Sequence, residues 1–423
     1  TQTQLHRSLM KIAVIGSGVI GLTSAYELAR DGHEVSIFEQ ESAAATGASF
    51  ANSGLISPSL TPYLSHPAWP PAGWLSRSRS LRHLRLGANL AWNDLRWIRQ
   101  WKRERSLDAT IQNVSVAHAL LEASKKRIHA IAADEKFDLE RTEGQLILFN
   151  TEASLAQYRE KLVTLKSWGV LANEIPSNEI QKIEPGLNPP PSLIRAIHLP
   201  GDEVGNCRQF ALGIRKALQV MGVGFNYNAS ISSIQSTPRP NIHIQGSATP
   251  LDFDHIVVCT GSHIPPFSHS TRISVPMVSV ASYSLTARVK EDINAPRSAI
   301  YTPHDCTSIV RMGKRVRVSF GAELGTRQNK NHTKAVRHMY HALQQAFPGG
   351  ADYSNSVQIW KGNMAVTADG LPIIGGSTQP GVWFNLGHGP NGWGMACGAA
   401  MCLSAAIGNR PACIDLSKVS PVR

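Results

Sequence analysis

The chain has 423 residues, 42% hydrophobic and 17% charged, enough for a sizeable core in roughly two or three domains, which argues against disordered, collagen-like or coiled-coil architectures. Its 42 Lys and Arg against 30 Asp and Glu leave a net charge of +12, so an anionic partner is expected: a cofactor phosphate, an acidic membrane surface or nucleic acid. Six cysteines without a CxxC pair argue against a zinc site and a disulfide framework and suit a reducing compartment.

Residues 1–10 carry one Arg and no apolar run of signal-peptide length; they read as a loose tail, and a cytoplasmic location is expected. Residues 11–40 open as a βαβ unit: an apolar strand over 12–15, a glycine turn, a helix over 19–31 and a second strand over 34–39. The turn, Gly16-Ser17-Gly18-Val19-Ile20-Gly21, matches GxGxxG between a strand and a helix. Gly16 allows the tight turn, Gly18 the approach of a pyrophosphate and Gly21 close packing of helix on strand, while the helix N-terminus supplies the positive dipole. Glu39, with Gln40 beside it, ends the second strand where an acid can accept ribose hydroxyls. A dinucleotide is therefore predicted, FAD or NAD.

Residues 41–71 are rich in Ala, Ser, Gly and Pro and predict an extended loop. Residues 72–140 predict helices. Within them Arg77, Arg79, Arg82, Arg85, Arg96, Arg99, Lys102, Arg103 and Arg105 are interleaved with Trp74, Trp92, Trp97 and Trp101. Such a segment, 74–105, suits an anionic membrane interface; helices with tryptophans packed inward and arginines solvated are the bland alternative. No nucleic-acid-binding module accompanies the charge, which argues against that partner. A strand over 145–149, turns over 176–200, a helix over 207–221 and an apolar strand over 256–259 follow. Alternating strands dominate 275–360, with one helix near 334–347. Residues 370–408 contain no Asp, Glu, Lys or Arg and end in a small-residue helix read as buried rather than membrane-spanning.

A flavin must be enclosed along its length, and two further glycine-rich cradles exist. One is the strand end Val258-Cys259-Thr260-Gly261. The other is Gly387-His388-Gly389-Pro390-Asn391-Gly392-Trp393, which opens the last helix and can aim N–H groups at the anion of a reduced flavin. The fold class expected is α/β: a discontinuous Rossmann-type FAD-binding domain with an inserted, mostly antiparallel α+β substrate domain. The first is assigned residues 10–58, 197–275 and 368–423; the second, 59–196 and 276–367, including the basic helical segment at about 72–140.

With these residues in place the chain resembles the FAD-dependent D-amino acid dehydrogenases, within the D-amino acid oxidase and glycine oxidase superfamily, over nearly its whole length from Met10. The resemblance is carried by residues 11–40, by ASFANSGLISPS (48–59), ASYSLT (281–286), TADGLPIIG (367–375) and NLGHGPNGWGMACG (385–398), in matching order and spacing. It implies a noncovalent FAD and oxidation of an amine-bearing carbon by hydride transfer to flavin N5. The imine product hydrolyses to a 2-oxo acid and ammonia, and the electrons go to a membrane quinone rather than oxygen. It also implies that residues 48–59, including Ser49, Asn52, Ser53, Gly54 and Leu55, line the flavin, that Ile231 contacts the adenine end through its backbone, and that Tyr283 and Arg311 face the substrate.

One departure stands out. Relatives carry Arg-Pro before a Thr-Pro-Asp-Gly stretch, and that arginine clamps the substrate carboxylate. Here Met364 falls at the arginine's place and cannot donate a hydrogen bond. Either Arg311 or Lys361 takes over the carboxylate, or the substrate is a different amine or a modified amino acid, or turnover is poor; the second is favoured because Met lines apolar, adaptable pockets. Met364 and Asn52 are thus placed in the substrate pocket, and Tyr283, Arg311 and His388 are the catalytic candidates. The rivals are an oxygen-using oxidase and a flavin-binding subunit without catalysis.

Overall fold

The computed structural model describes residues 9–60, 85–87, 89–103, 107–263, 276–325, 332–354 and 356–423. Strand Lys11–Ile15 is buried at four of its five positions and pairs in parallel with Glu34–Phe38 on one side and His255–Val258 on the other. Gly224–Asn226 extends the sheet beyond Glu34–Phe38, and Val382–Leu386 and Ile373–Gly376 extend it beyond His255–Val258, making six strands drawn from the start, middle and end of the chain. Near-continuous apolar runs such as Ile12 to Ile15 belong in such a sheet because both faces are covered.

One face carries helices Val19–Arg30, Cys207–Val220 and Gly392–Ile407, whose apolar sides share a core with Val14, Ile37 and Val257. The other face packs Ala13, Ile15, Ile256 and Phe384 against a three-stranded antiparallel sheet, Ile231–Gln235, Asn241–Ile244 and Leu251–Asp252. The uncharged Gly392–Ile407 helix is buried along most of its length. Among the described residues no helix is long and apolar enough to cross a membrane.

A second sheet of eleven strands forms the other half. Its spine is Met277–Val289, flanked by Gln358–Thr367 and by Arg315–Leu324, from which the sheet continues through Thr307–Met312, Ala299–Thr302, Thr142–Phe149 and Arg195–Val204 to Leu55–Ile56. Helix His332–Ala346 covers one face through Met339 and Leu343, which pack on Leu285, Val316 and Val318. Strand residues alternate in direction, so Ser282, Ser284 and Thr286 turn to the opposite face, toward the nucleotide half.

Two boundaries differ from expectation. Strand Arg195–Val204 lies in the large sheet, paired with Thr142–Phe149, so position 197 falls inside it and is no division. Helix Leu107–Asp134, expected with the substrate domain, buries Leu120, Leu121, Ile128 and Ile131 in the core of the nucleotide half. Arg127 holds it there by ion-pairing with Glu27 at 2.7 Å. Its apolar stripe found the nearer helices; sequence order did not dictate the layer. Of the basic segment, Trp74, Arg77, Arg79, Arg82 and Arg105 lie outside the described residues. Helix Trp92–Arg103 buries Trp97 and Trp101, stacked at 5.6 Å, against Val278, Val280 and Val366, while Trp92 is 83% exposed.

Candidate active site

Parallel pairing places the turns after four strands at one edge of the six-stranded sheet: Gly16, Glu39, Thr260 and Gly387 each lie at or just past a strand end. Ligands of open α/β sheets bind at that edge. Gly16 has φ +103°, and a Cβ on it would sit 2.6 Å from the Cys259 carbonyl oxygen; one on Gly21 would sit 1.9 Å from the Gly16 oxygen. Backbone therefore approaches where side chains would otherwise stand, leaving the N-terminus of helix Val19–Arg30 open, with no side-chain cap from Gly18. Ser49 reaches it instead, its hydroxyl accepting from the Val19 N–H at 2.9 Å.

Glu39 folds back over the turn and accepts from the Ser17 N–H at 2.7 Å and the Ser17 hydroxyl at 2.8 Å. Backbone bonds from Ala229 to Glu39 and from Asn228 to Glu41 bring the start of strand Ile231–Gln235 alongside, so Ile231 lies at this end. Gln40 is exposed. Buried polar atoms without partners gather on the other predicted cradles: Thr260 Oγ1, His388 Nε2, Asn391 Nδ2 and Trp393 Nε1. Such atoms cost stability unless a ligand satisfies them, and a dinucleotide threaded along this edge would meet them. The residues present fit FAD.

Next to this edge a cleft opens between residues 48–55, the hydroxyl-bearing face of the large sheet and the start of the last helix. Asn52 and Met364, assigned to the substrate pocket, and Tyr283, assigned to face the substrate, line it together with Ser53, Leu55 and Asn391, which were assigned to the cofactor. Ser282, Ser308, Ser319, Tyr301, Cys306, Phe320 and Trp360 line it without having been anticipated, because their strand faces were not legible locally. Among the described residues of the lining there is no Lys, Arg, His, Asp or Glu. Trp360 stacks on Phe50 at 6.0 Å, and Arg208 lies 4.0 Å from the Phe50 ring centre. Among the described residues no cluster of His, Cys, Asp or Glu could hold a metal ion.

The three catalytic candidates fare differently. Tyr283 donates its hydroxyl to Glu323 at 2.7 Å, and burial together with that bond raises its pKa well above the ordinary value; it stays protonated and lends the cleft an aromatic wall. Arg311 is corrected: it alternates with Ser308 along strand Thr307–Met312, points away from the cleft and ends in an ion pair with Asp292 and a bond to the Gly313 carbonyl at 2.9 Å. Lys361, the other proposed stand-in for a clamp, lies 5.7 Å from the Tyr283 ring centre and is not part of the lining. His388 is buried, and burial pushes its pKa down to about 3. It is a neutral hydrogen-bonding group, not a source of charge.

Residues 11–406 match the family model described as DAO, FAD dependent oxidoreductase. The chain belongs to the DAO family. FAD is its cofactor, and it is an oxidoreductase. This DAO-family chain is 30% identical over 407 residues to a D-amino acid dehydrogenase of Azorhizobium caulinodans, covering 94% of this chain and 96% of that protein. Its fold is similar to glycine oxidase of Geobacillus kaustophilus, with TM-score 0.76, 18% identity and 98% of each chain covered. It is also similar to L-proline dehydrogenase of P. horikoshii, with TM-score 0.74, 14% identity and coverage of 98% and 97%.

The neutral His388 has a measurable consequence. Its folded pKa lies near 3 against about 6.5 in an unfolded chain. The unfolded chain takes up the proton first, so the contribution is complete above about pH 6.5 and is lost as pH falls toward about 3. Denaturant titrations of the His388→Gln variant should show a smaller loss of unfolding free energy between about pH 7 and about pH 5 than the parent. An identical loss would mean the imidazole is not shielded.

Proposed function

We propose that the protein oxidises the carbon–nitrogen bond of an amino acid, or a closely related amine, that carries a bulky apolar or aromatic group, giving an imine that water converts to the oxo product and ammonia. The observation that carries this reading is the cleft wall: Met364, Trp360, Phe320, Tyr301 and Leu55, with no cation among the described lining residues. FAD supplies the hydride acceptor. The chain's own residues orient the reacting carbon and keep water out, which amine oxidation needs more than a strong protein base. Relatedness to a D-amino acid dehydrogenase supports an α-amino acid skeleton of D configuration.

Met364 is half-buried and packs with Trp97 and Trp101 beneath the strand, so the place of a carboxylate clamp is part of an apolar cluster. A small substrate such as D-alanine gains little from that surface and lacks a partner for its acid there. Each further CH2 buried against that surface is worth about 0.8 kcal/mol, so two or more of them amount to roughly tenfold in kcat/KM. A dye-coupled assay over a panel of D-amino acids should give D-phenylalanine or D-norleucine a kcat/KM at least tenfold above D-alanine, and Met364→Arg should narrow that gap. D-alanine as the best substrate of the parent would reject the reading.

For the electrons we infer a quinone acceptor reached at the cytoplasmic face of a membrane. Helix Trp92–Arg103 turns outward Trp92 and Leu95, 83% and 46% exposed, together with Arg96, Arg99 and Arg103. Apolar side chains among cations suit an anionic lipid surface. Flotation with vesicles containing phosphatidylglycerol should carry the protein, and phosphatidylcholine vesicles should not. The variant Arg96→Glu/Arg99→Glu/Arg103→Glu should lose at least fivefold of that binding while substrate still bleaches its flavin; equal flotation of variant and parent would reject the membrane surface.

A further inference from the structure

Ser284, Ser319 and Ser308 stand in register across three adjacent strands, Ser284 opposite Ser319 and Ser319 opposite Ser308. Residues directly opposite in neighbouring strands project from the same face, and here that face looks on the cleft, which Ser308 and Ser319 line. Ser284 and Ser308 are 2% and 4% exposed, and the hydroxyls of Ser284 and Ser319 have no hydrogen-bond partner. An unpaired buried hydroxyl costs stability that a bound ligand would restore. Farther along the same face Val310 and Met312 pack as ordinary core. The serines therefore form a polar band beside that apolar packing.

Behind the band, one position further on the same face, Arg317 pairs in register with Thr286 and Val310. It is 5% exposed; its Nε donates to the Thr286 hydroxyl and one Nη to the Asn52 carbonyl, both at 2.9 Å. These bonds use two of the five donors of the fork. No acid neutralises it among the described residues: the field of Glu140 reaches it, but that carboxylate is bonded to Arg315 and Asn206. A buried arginine held, among the described residues, only by neutral oxygens, beneath a row of serines of which Ser284 and Ser319 are unpaired, and tied to the cleft-lining Asn52, is an arrangement that an anion would complete.

We propose that the serine row backed by Arg317 is the carboxylate subsite of the cleft, replacing a clamp at position 364. Arg317 and the serines hold the acid from the sheet, and the apolar group then falls toward Met364 and Trp360. This rests on the reading of the substrate as an amino acid.

The test uses the FAD-loaded enzyme and benzoate, a carboxylate without an amine, with the change in the flavin's visible spectrum reporting binding. The parent should bind benzoate and favour it over benzamide, which carries no charge. Arg317→Met and Ser308→Ala/Ser319→Ala should each weaken benzoate at least tenfold and benzamide less than twofold, and Arg317→Lys should recover part of the loss. Arg311→Met should bind benzoate as the parent does. A merely structural role for Arg317 would weaken both ligands alike, which would overturn the proposal, as would unchanged benzoate binding by Arg317→Met. Should the parent ignore benzoate while its flavin is bleached by bulky amines lacking an acid, the subsite falls and the oxidation of apolar amines stands.

Discussion

The cleft depends first on the parallel pairing of Lys11–Ile15 with two strands that come from distant parts of the chain, Glu34–Phe38 and His255–Val258. Parallel strands deliver their carboxyl ends to one edge, so the Gly16 turn, Glu39, Thr260 and the 387–393 loop converge without any local signal linking them. The glycines then let backbone stand where side chains would block a cofactor, and the partnerless Thr260, His388, Asn391 and Trp393 atoms mark where that cofactor's polar groups must lie. The ordering is physical: pairing sets the edge, and the edge gathers, beside the cleft, the groups that would hold FAD.

The second constraint is the two-faced large sheet. One face is a conventional core under helix His332–Ala346; the other carries Ser282, Ser284, Thr286, Ser308, Arg317 and Ser319. A β-sheet face is normally hidden by apolar packing or wetted by solvent. This one is hidden yet polar, which makes sense only opposite a ligand. The bond from Arg317 to the Asn52 carbonyl ties this face to residues 48–55, so the two halves of the molecule meet at the site. On the same face, farther along strand Gln358–Thr367, Met364 packs against the cluster that holds the tryptophans of helix Trp92–Arg103. The helix that turns Trp92 and its arginines outward thus supports the apolar wall with its inner side.

The nucleotide half was legible in the sequence because its signal is local: six residues of glycine turn, an acid about one strand later, and apolar runs long enough to be buried. The substrate wall was not, because strand parity decides it. Arg311 and Arg317 both lie at alternating positions of neighbouring strands, yet one ends on a surface aspartate and the other under the cleft. A register shift between Ala281 and Tyr283 disturbs the alternation further, so counting along the chain could not assign Tyr283 its direction. Composition likewise could not separate Trp97 and Trp101, which pack inward, from Trp92, which does not. Cys402 and Cys413, which form no CxxC pair, approach to 3.3 Å because the chain doubles back along the last helix.

The central claim is that the substrate is gripped by its acid from the sheet and by its apolar group from the Met364 side. A crystal structure of the FAD-loaded enzyme with benzoate bound tests it most directly. The account predicts the carboxylate against Ser308, Ser319 and Arg317 and the ring against Met364 and Trp360. Benzoate lying the other way round, with its carboxylate turned toward Lys361 or the last helix and its ring on the serines, would contradict it.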